Sequence, residues 1–207
     1  MSVIIDDVHP LDSQYGMGRG VPIARYYINR YVDRIAGRIH GTVLEFGAPT
    51  YSASLNCTSE TISIDERDKP TLLMDICDPA VARLKGSSYD FIICTSVLHL
   101  VPDPRQAVDN MHGLLKPGGT LLLAEKSVSI VDPWFTAIDK WRFTPTGLRA
   151  LLARFADVEV EAFGNLYTMC AYLSGMAAEE IPKDKLDYHD PSYPIIGIAS
   201  ATTAPSQ

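Results

Sequence analysis

The chain lacks a compact cysteine framework, a long apolar run and an excess of positive charge, and each absence removes a class of protein. Its four cysteines, Cys57, Cys77, Cys94 and Cys170, are widely spaced and include no CxxC pair. A disulfide-stapled mini-domain is therefore not expected, and the thiols read as reduced. The five histidines show no HxxxH or mixed Cys/His spacing, so no metal site is predicted. No segment approaches the roughly 20 apolar residues that span a bilayer. The opening MSVIIDDVHP carries two acids and only a brief apolar run, unlike a signal or transit peptide. Asp and Glu outnumber Lys and Arg by 25 to 18, for a net charge of -7. With the basic residues scattered, neither nucleic acid nor an anionic membrane is an expected partner, because both need a clustered positive face. A soluble, cytoplasmic protein is the expectation.

What is present suits one folded domain. The 207 residues are 46% hydrophobic and 21% charged, enough to bury a full core. Residues 1–20 are polar, glycine-bearing and aperiodic and read as a mobile segment; 21–201 reads as a single domain and 202–207 as a disordered tail. Pro22 suits a first helical turn, and Ile23, Tyr27, Ile28, Tyr31, Val32 and Ile35 fall on one helical face.

Strand and helix signals then alternate. Thr42 to Phe46 is a short apolar run carrying Glu45 and followed by Gly47, where a parallel strand would hand over to a tight turn. The later glycines of a GxGxxG fingerprint are missing, and Ala48-Pro49-Thr50-Tyr51 stands in their place. Strands are predicted over 60–65, 71–75, 89–96, 120–124, 158–163 and 194–201, and helices over 78–85, 104–115, from Pro145 through Phe155, and 166–178. Lys116-Pro117-Gly118-Gly119 stops one helix and turns into the next strand. This alternation predicts a doubly wound, mostly parallel sheet with ligands at the carboxyl ends of its strands. Those ends carry Glu45 and Gly47, Asp65, Asp75, Thr95 and Glu125.

VLEFG, an acid ending each of the next two strands, YDFIICTSVLHLVPDP and LLKPGGTLLL occur in the order and spacing of the class I S-adenosylmethionine-dependent methyltransferases, which the chain resembles from Thr42 to Glu125. GRGVPIARYYINRYV, KWRFTP, FGNLYTMCAYLSGMAAEEI and LDYHDPSYPIIGIA further resemble a subgroup associated with glycan and glycosyltransferase-linked pathways. The resemblance implies a Rossmann-like seven-stranded sheet whose last strand is antiparallel. It also implies S-adenosylmethionine as cofactor, with Glu45 and Gly47 at its methionine end and Tyr51 walling the loop. Asp65 would take the ribose hydroxyls, a task for a carboxylate that can accept from two neighbouring hydroxyls, although Glu66 is equally placed if the strand runs one residue further. Asp75 and Ile76 would flank the adenine, and Thr95 and Ser96 would lie below the sulfonium.

His99 follows strand four, where an acceptor would meet the methyl group, and a group titrating near neutrality suits a general base. A histidine bonded to backbone at a helix start is the competing reading. Tyr26 and Tyr27 could close over a sulfonium; with Arg19 and Arg25 they could equally grip a phosphorylated or carboxylated acceptor. Trp134, Trp141 and Arg142 follow strand five and could wall an acceptor pocket. The expected reaction is methylation of a hydroxyl or amine on a small molecule, a sugar or secondary metabolite. A same-fold cyclase that keeps the cofactor without using its methyl group, and a non-catalytic binding protein, are the alternatives. Oligomeric state is left open, a dimer included.

Overall fold

Seven strands build this protein around one sheet, seen in a computed structural model that describes residues 8–206. The opening MSVIIDD and the terminal Gln207 lie outside the described residues. The chain enters through Pro22, whose φ of -52° leads into α1 (Ile23–Ile35), and the expected apolar stripe of α1 is buried. Then follow β1 (Thr42–Phe46), β2 (Thr58–Ser63), β3 (Leu72–Leu73), α2 (Ala80–Lys85) and β4 (Tyr89–Thr95). The second half contains α3 (Pro104–Leu114), β5 (Leu115–Lys126), α4 (Pro145–Leu151), β6 (Asp157–Phe163), α5 (Leu166–Leu173), α6 (Lys183–Asp187) and β7 (Ile196–Thr202). Strand order is β3-β2-β1-β4-β5-β7-β6, with β7 antiparallel to both neighbours. This is the doubly wound, Rossmann-like sheet predicted, including its antiparallel last strand.

The near-continuous apolar run of β4 is explained by burial on both faces. Phe91 and Ile93 pack with α1 on one side, while Ile92 and Cys94 pack with α3 on the other. Each large aliphatic side chain so buried is worth about 1.5–3 kcal/mol. Asp103 caps α3 by accepting from the Arg105 and Gln106 N–H groups, ahead of Pro104. Thr144 caps α4 through the Gly147 N–H.

Several boundaries differ from expectation for physical reasons. β2 ends at Ser63, because Asp65 folds back to cap a single turn through the Arg67 N–H. β3 has only two residues, so Asp75 lies in the following loop. Lys116 to Gly119 lie within β5, where pairing with β4 jumps from Tyr89–Leu115 to Phe91–Thr120. The helix expected to reach Ala178 stops at Leu173. Gly175, at φ +76°, lies so close to Asp12 that a Cβ would stand 2.0 Å from its carbonyl oxygen. That contact belongs to a docked N-terminal segment. Residues 8–20 form turns rather than helix or strand, yet Tyr15 is buried and the Leu11 N–H donates to the Ser174 carbonyl at 2.8 Å. At the other end, Thr202 closes β7 and Thr203 is buried, so the sheet extends into the expected tail. No helix among the described residues is long and apolar enough to cross a membrane.

Candidate active site

A cavity of about 600 Å³ opens at the carboxyl ends of β1, β2, β3 and β4. Gly47, Asp65, Asp75, Ile76, Thr95 and Ser96, all singled out from sequence, line it together. Gly47 has φ +76°, and a Cβ there would meet nothing within 4 Å. Glycine is required by the turn, not by crowding. Ser96 also takes a left-handed conformation, φ +56°, with its N–H on the Ala124 carbonyl at 2.8 Å. A non-glycine residue so placed at a strand end is costly and is characteristic of working sites.

Asp65 lines the cavity, whereas Glu66 is exposed and does not. The Arg67 side chain forks onto Asp65, with Nε 2.9 Å from Oδ2, and this hydrogen bonding lowers the carboxyl pKa to about 2. Asp65 is thus ionised at neutral pH. Asp75 is exposed and accepts the Cys77 N–H at 2.8 Å, while Ile76 is buried as an apolar wall. Phe135, Ile138 and Lys140, from the segment after β5, complete the rim.

Glu45 and Tyr51 correct the expectation. Glu45 is buried and does not line the cavity. It accepts from the Tyr51 N–H at 3.0 Å, the Ser52 N–H at 2.8 Å and the Ser52 hydroxyl at 2.6 Å, tying down the loop behind Gly47. The Tyr51 ring is buried toward α1, where its hydroxyl meets Arg25 and Asn29. The alternating pleat puts Glu45 on the α1 face, opposite Leu44 and Phe46.

His99 is 1% exposed and sits in a polar cluster beside the cavity. Its Nδ1 is 3.2 Å from Glu125 Oε2, and its Nε2 is 3.4 Å from Lys126 Nζ and 3.7 Å from Asp132 Oδ2. Glu125 Oε1 accepts the Val97 and Leu98 N–H groups at 2.8 and 2.7 Å, fixing the turn that carries His99. Lys126 Nζ also reaches the Tyr15 hydroxyl at 3.1 Å. Burial alone would depress the His99 pKa, but the neighbouring Asp132 and Glu125 carboxylates outweigh it and raise it. Burial opposes ionisation of Asp132, yet its bonds to His99, the Trp134 N–H and Lys126 hold its carboxyl well below the usual range. The reading of His99 as a helix-start residue bonded only to backbone does not describe this arrangement. Tyr15, Lys126 and Asp132 went unrecognised in the sequence. Position next to Glu125 at a strand end was the available signal for Lys126; nothing local marks Tyr15.

The expected acceptor residues separate. Arg19 pairs with Glu180 at the surface. Tyr27 is buried with its hydroxyl on the Leu186 carbonyl at 3.1 Å. Tyr26 and Tyr27 line a different cavity of about 580 Å³ on the outer flank of α1, with Arg30, Arg34, Phe163 and His189. Neither tyrosine covers the strand-end cavity. Trp141 donates from Nε1 to the Val101 carbonyl at 2.9 Å, and Trp134 is half exposed beside Tyr15. Arg142 grips Asp139, whose Oδ2 accepts the Asp132 N–H at 2.7 Å. It therefore steadies Asp132 from outside the cavity.

Comparison with known proteins fits this geometry. Residues 51–121 match the family model described as a methyltransferase domain. Over 70 residues the chain is 46% identical to probable polyketide synthase 5 of Dictyostelium discoideum, covering 32% of this chain and 3% of that protein. The chain therefore spans a small fraction of the curated relative's length. Among solved structures, the N-methyltransferase NodS from Bradyrhizobium japonicum, in complex with S-adenosyl-l-homocysteine, superposes with a TM-score of 0.59 at 15% identity, covering 95% of this chain and 94% of that one. The CurJ carbon methyltransferase gives a TM-score of 0.56 at 17% identity, covering 87% and 55%. The match over residues 51–121 makes that part of the chain similar to methyltransferase domains, and the sheet has the Rossmann-like fold of the S-adenosylmethionine-dependent methyltransferases.

Proposed function

We propose that the chain binds S-adenosylmethionine in the strand-end cavity and methylates a small-molecule acceptor that must lose a proton. The cavity suits that cofactor in shape and chemistry. Asp65 offers an ionised carboxylate to a vicinal diol, Ile76 a flat apolar wall to a purine, and Gly47 a backbone free of Cβ beside the chain of the ligand. When bound, the cofactor supplies an electrophilic methyl carbon. The protein's share is alignment of the acceptor and removal of its proton.

The observation that carries the reading is the His99–Glu125 pair at the ends of β4 and β5. With Nδ1–H donated to Glu125 Oε2, Nε2 is left as the basic nitrogen, and the carboxylate stabilises the imidazolium formed when a proton arrives. A buried base of this kind favours an acceptor with a hydroxyl or an acidified C–H. An amine, which needs no strong base to expose its lone pair, gains less from it. The likeness to polyketide synthases and to the CurJ carbon methyltransferase supports a secondary metabolite over a sugar, and carbon as the methylated atom alongside oxygen.

Titration with S-adenosylmethionine is the first test, and absence of binding at millimolar cofactor would reject the reading. Product mass is the second. A gain of one methylene supports transfer, and an isomer of the acceptor supports the cyclase alternative.

A further inference from the structure

Two donors and an imidazole nitrogen converge on one oxygen in the cluster behind the cavity. Asp132 Oδ2 lies 3.3 Å from the Tyr15 hydroxyl, 3.3 Å from Lys126 Nζ and 3.7 Å from His99 Nε2. All four residues are less than 9% exposed. Burying a lysine and an aspartate together gains little stability, since desolvation consumes most of their attraction. The arrangement is nonetheless fully hydrogen-bonded, with no buried polar side-chain atom lacking a partner among the described residues. Such convergence is what an anionic oxygen requires when a site must hold it away from water.

Asp132 is held mainly by its own segment. Its other oxygen, Oδ1, accepts only from the Trp134 and Phe135 N–H groups of its own segment, at 3.0 and 3.2 Å. Those two bonds lie within the segment, so the contacts of Oδ2 with Tyr15 and Lys126 are the ones that tie the carboxylate to the rest of the cluster. Phe135 lines the cavity, as do Val97 and Leu100 on either side of His99, so the position of Oδ2 adjoins the place where an acceptor would enter.

We propose that Tyr15 and Lys126, beside His99, form an oxyanion subsite for the acceptor, filled by the Asp132 carboxylate until an enolate, phenolate or carboxylate oxygen of the acceptor displaces it. This rests on the methyl-transfer reading of the adjoining cavity. Lys126 supplies the charge, Tyr15 directs a hydroxyl at the same point, and Asp132 holds the two donors in place while the subsite awaits its ligand.

Acetate, as sodium acetate against matched sodium chloride, is the probe, titrated by NMR into the wild-type protein, Asp132→Ala and Asp132→Asn. Removal of a tethered competitor should let acetate bind Asp132→Ala at least about tenfold more tightly than wild type, the effective concentration of a linked group being millimolar or higher. Adding Lys126→Met to Asp132→Ala should abolish the gain. Equal acetate affinity in wild type and Asp132→Ala, or a gain that survives Lys126→Met, overturns the proposal. Should Asp132→Ala not fold, Asp132→Asn decides, since it keeps the acceptor for the Trp134 and Phe135 N–H groups; acetate affinity equal to wild type overturns the proposal there too. Cofactor titration of the same samples separates the two readings: loss of S-adenosylmethionine binding in wild type strikes methyl transfer, and the acetate result alone decides the subsite.

Discussion

His99 Nδ1 and Glu125 Oε2 lie 3.2 Å apart with both side chains out of contact with water. Glu125 is committed on its other oxygen to the Val97 and Leu98 N–H groups, so the pair is rigid, and imidazole orientation is set by the end of β5. His99→Ala should lower turnover by about 10²–10⁴-fold, the usual contribution of a positioned base. Cofactor affinity should stay near wild type, because His99 does not line the cavity. Turnover by mass spectrometry and cofactor affinity by calorimetry check both halves, and full activity in the variant removes His99 as base.

Asp65 and Glu66 are adjacent acids with different surroundings, and only Asp65 lines the cavity. Asp65→Ala should weaken S-adenosylmethionine binding by about tenfold or more, since a hydrogen bond to a charged group is worth roughly 1.5–3 kcal/mol. Glu66→Ala should leave the affinity unchanged. A reversal of this pattern in equilibrium dialysis would move the ribose role to Glu66.

How far these assignments were legible in the sequence depended on whether the signal was local. β4 announced itself as a buried strand because its apolar run needs cover on both faces, and Asp65, Asp75, Thr95 and Ser96 could be placed by their distance from strand ends. Glu45 looked like a site residue for the same reason, but side-chain alternation sends it to the other face of β1, where it pins the loop. Tyr15 was hidden more thoroughly. Its burial depends on contacts with Tyr172, Lys126 and Asp132, more than a hundred residues away, and nothing in the polar stretch around it carries a period. Tyr26 and Tyr27 share one helix, yet they border a cavity that needs Phe163, Leu186, Asp187 and His189 from far along the chain.

Glu45 gives a stability prediction. Its carboxylate accepts from two backbone N–H groups and one hydroxyl. Glu45→Ala should strand these donors and cost about 2–3 kcal/mol or more, as expected for buried hydrogen bonds to a charged group. Urea denaturation measures this. The same variant should bind cofactor more weakly, since the freed loop includes Gly47.

Gly47 separates conformation from contact. At φ +76° with open space around its Cα, Gly47→Ala should destabilise the protein by about 1–2 kcal/mol from the left-handed backbone alone. If cofactor affinity falls by more than stability does, the added methyl meets the ligand, and Gly47 is the point of close approach. Equal stability of variant and wild type would show that the turn does not need glycine.

The pH profile follows from the two carboxylates that flank His99. Together these carboxylates raise its pKa above the ordinary value of 6.5 in spite of burial. A base works unprotonated, so kcat/KM, which reports groups of the free enzyme, should rise with pH through a midpoint above that value. Asp132→Asn removes one of the charges that favour the imidazolium and should move the midpoint down; an unmoved midpoint would separate the profile from His99. Stability runs the other way. A group whose folded pKa is raised stabilises fully below its unfolded value, and the contribution of His99 is lost as pH climbs through the folded one. Asp132, with its pKa depressed, contributes above the ordinary carboxylate range and loses that contribution as pH falls toward its folded value. Activity should therefore increase toward alkaline pH while His99's contribution to stability declines, and chemical denaturation across that range, beside the kinetic profile, tests whether one histidine governs both.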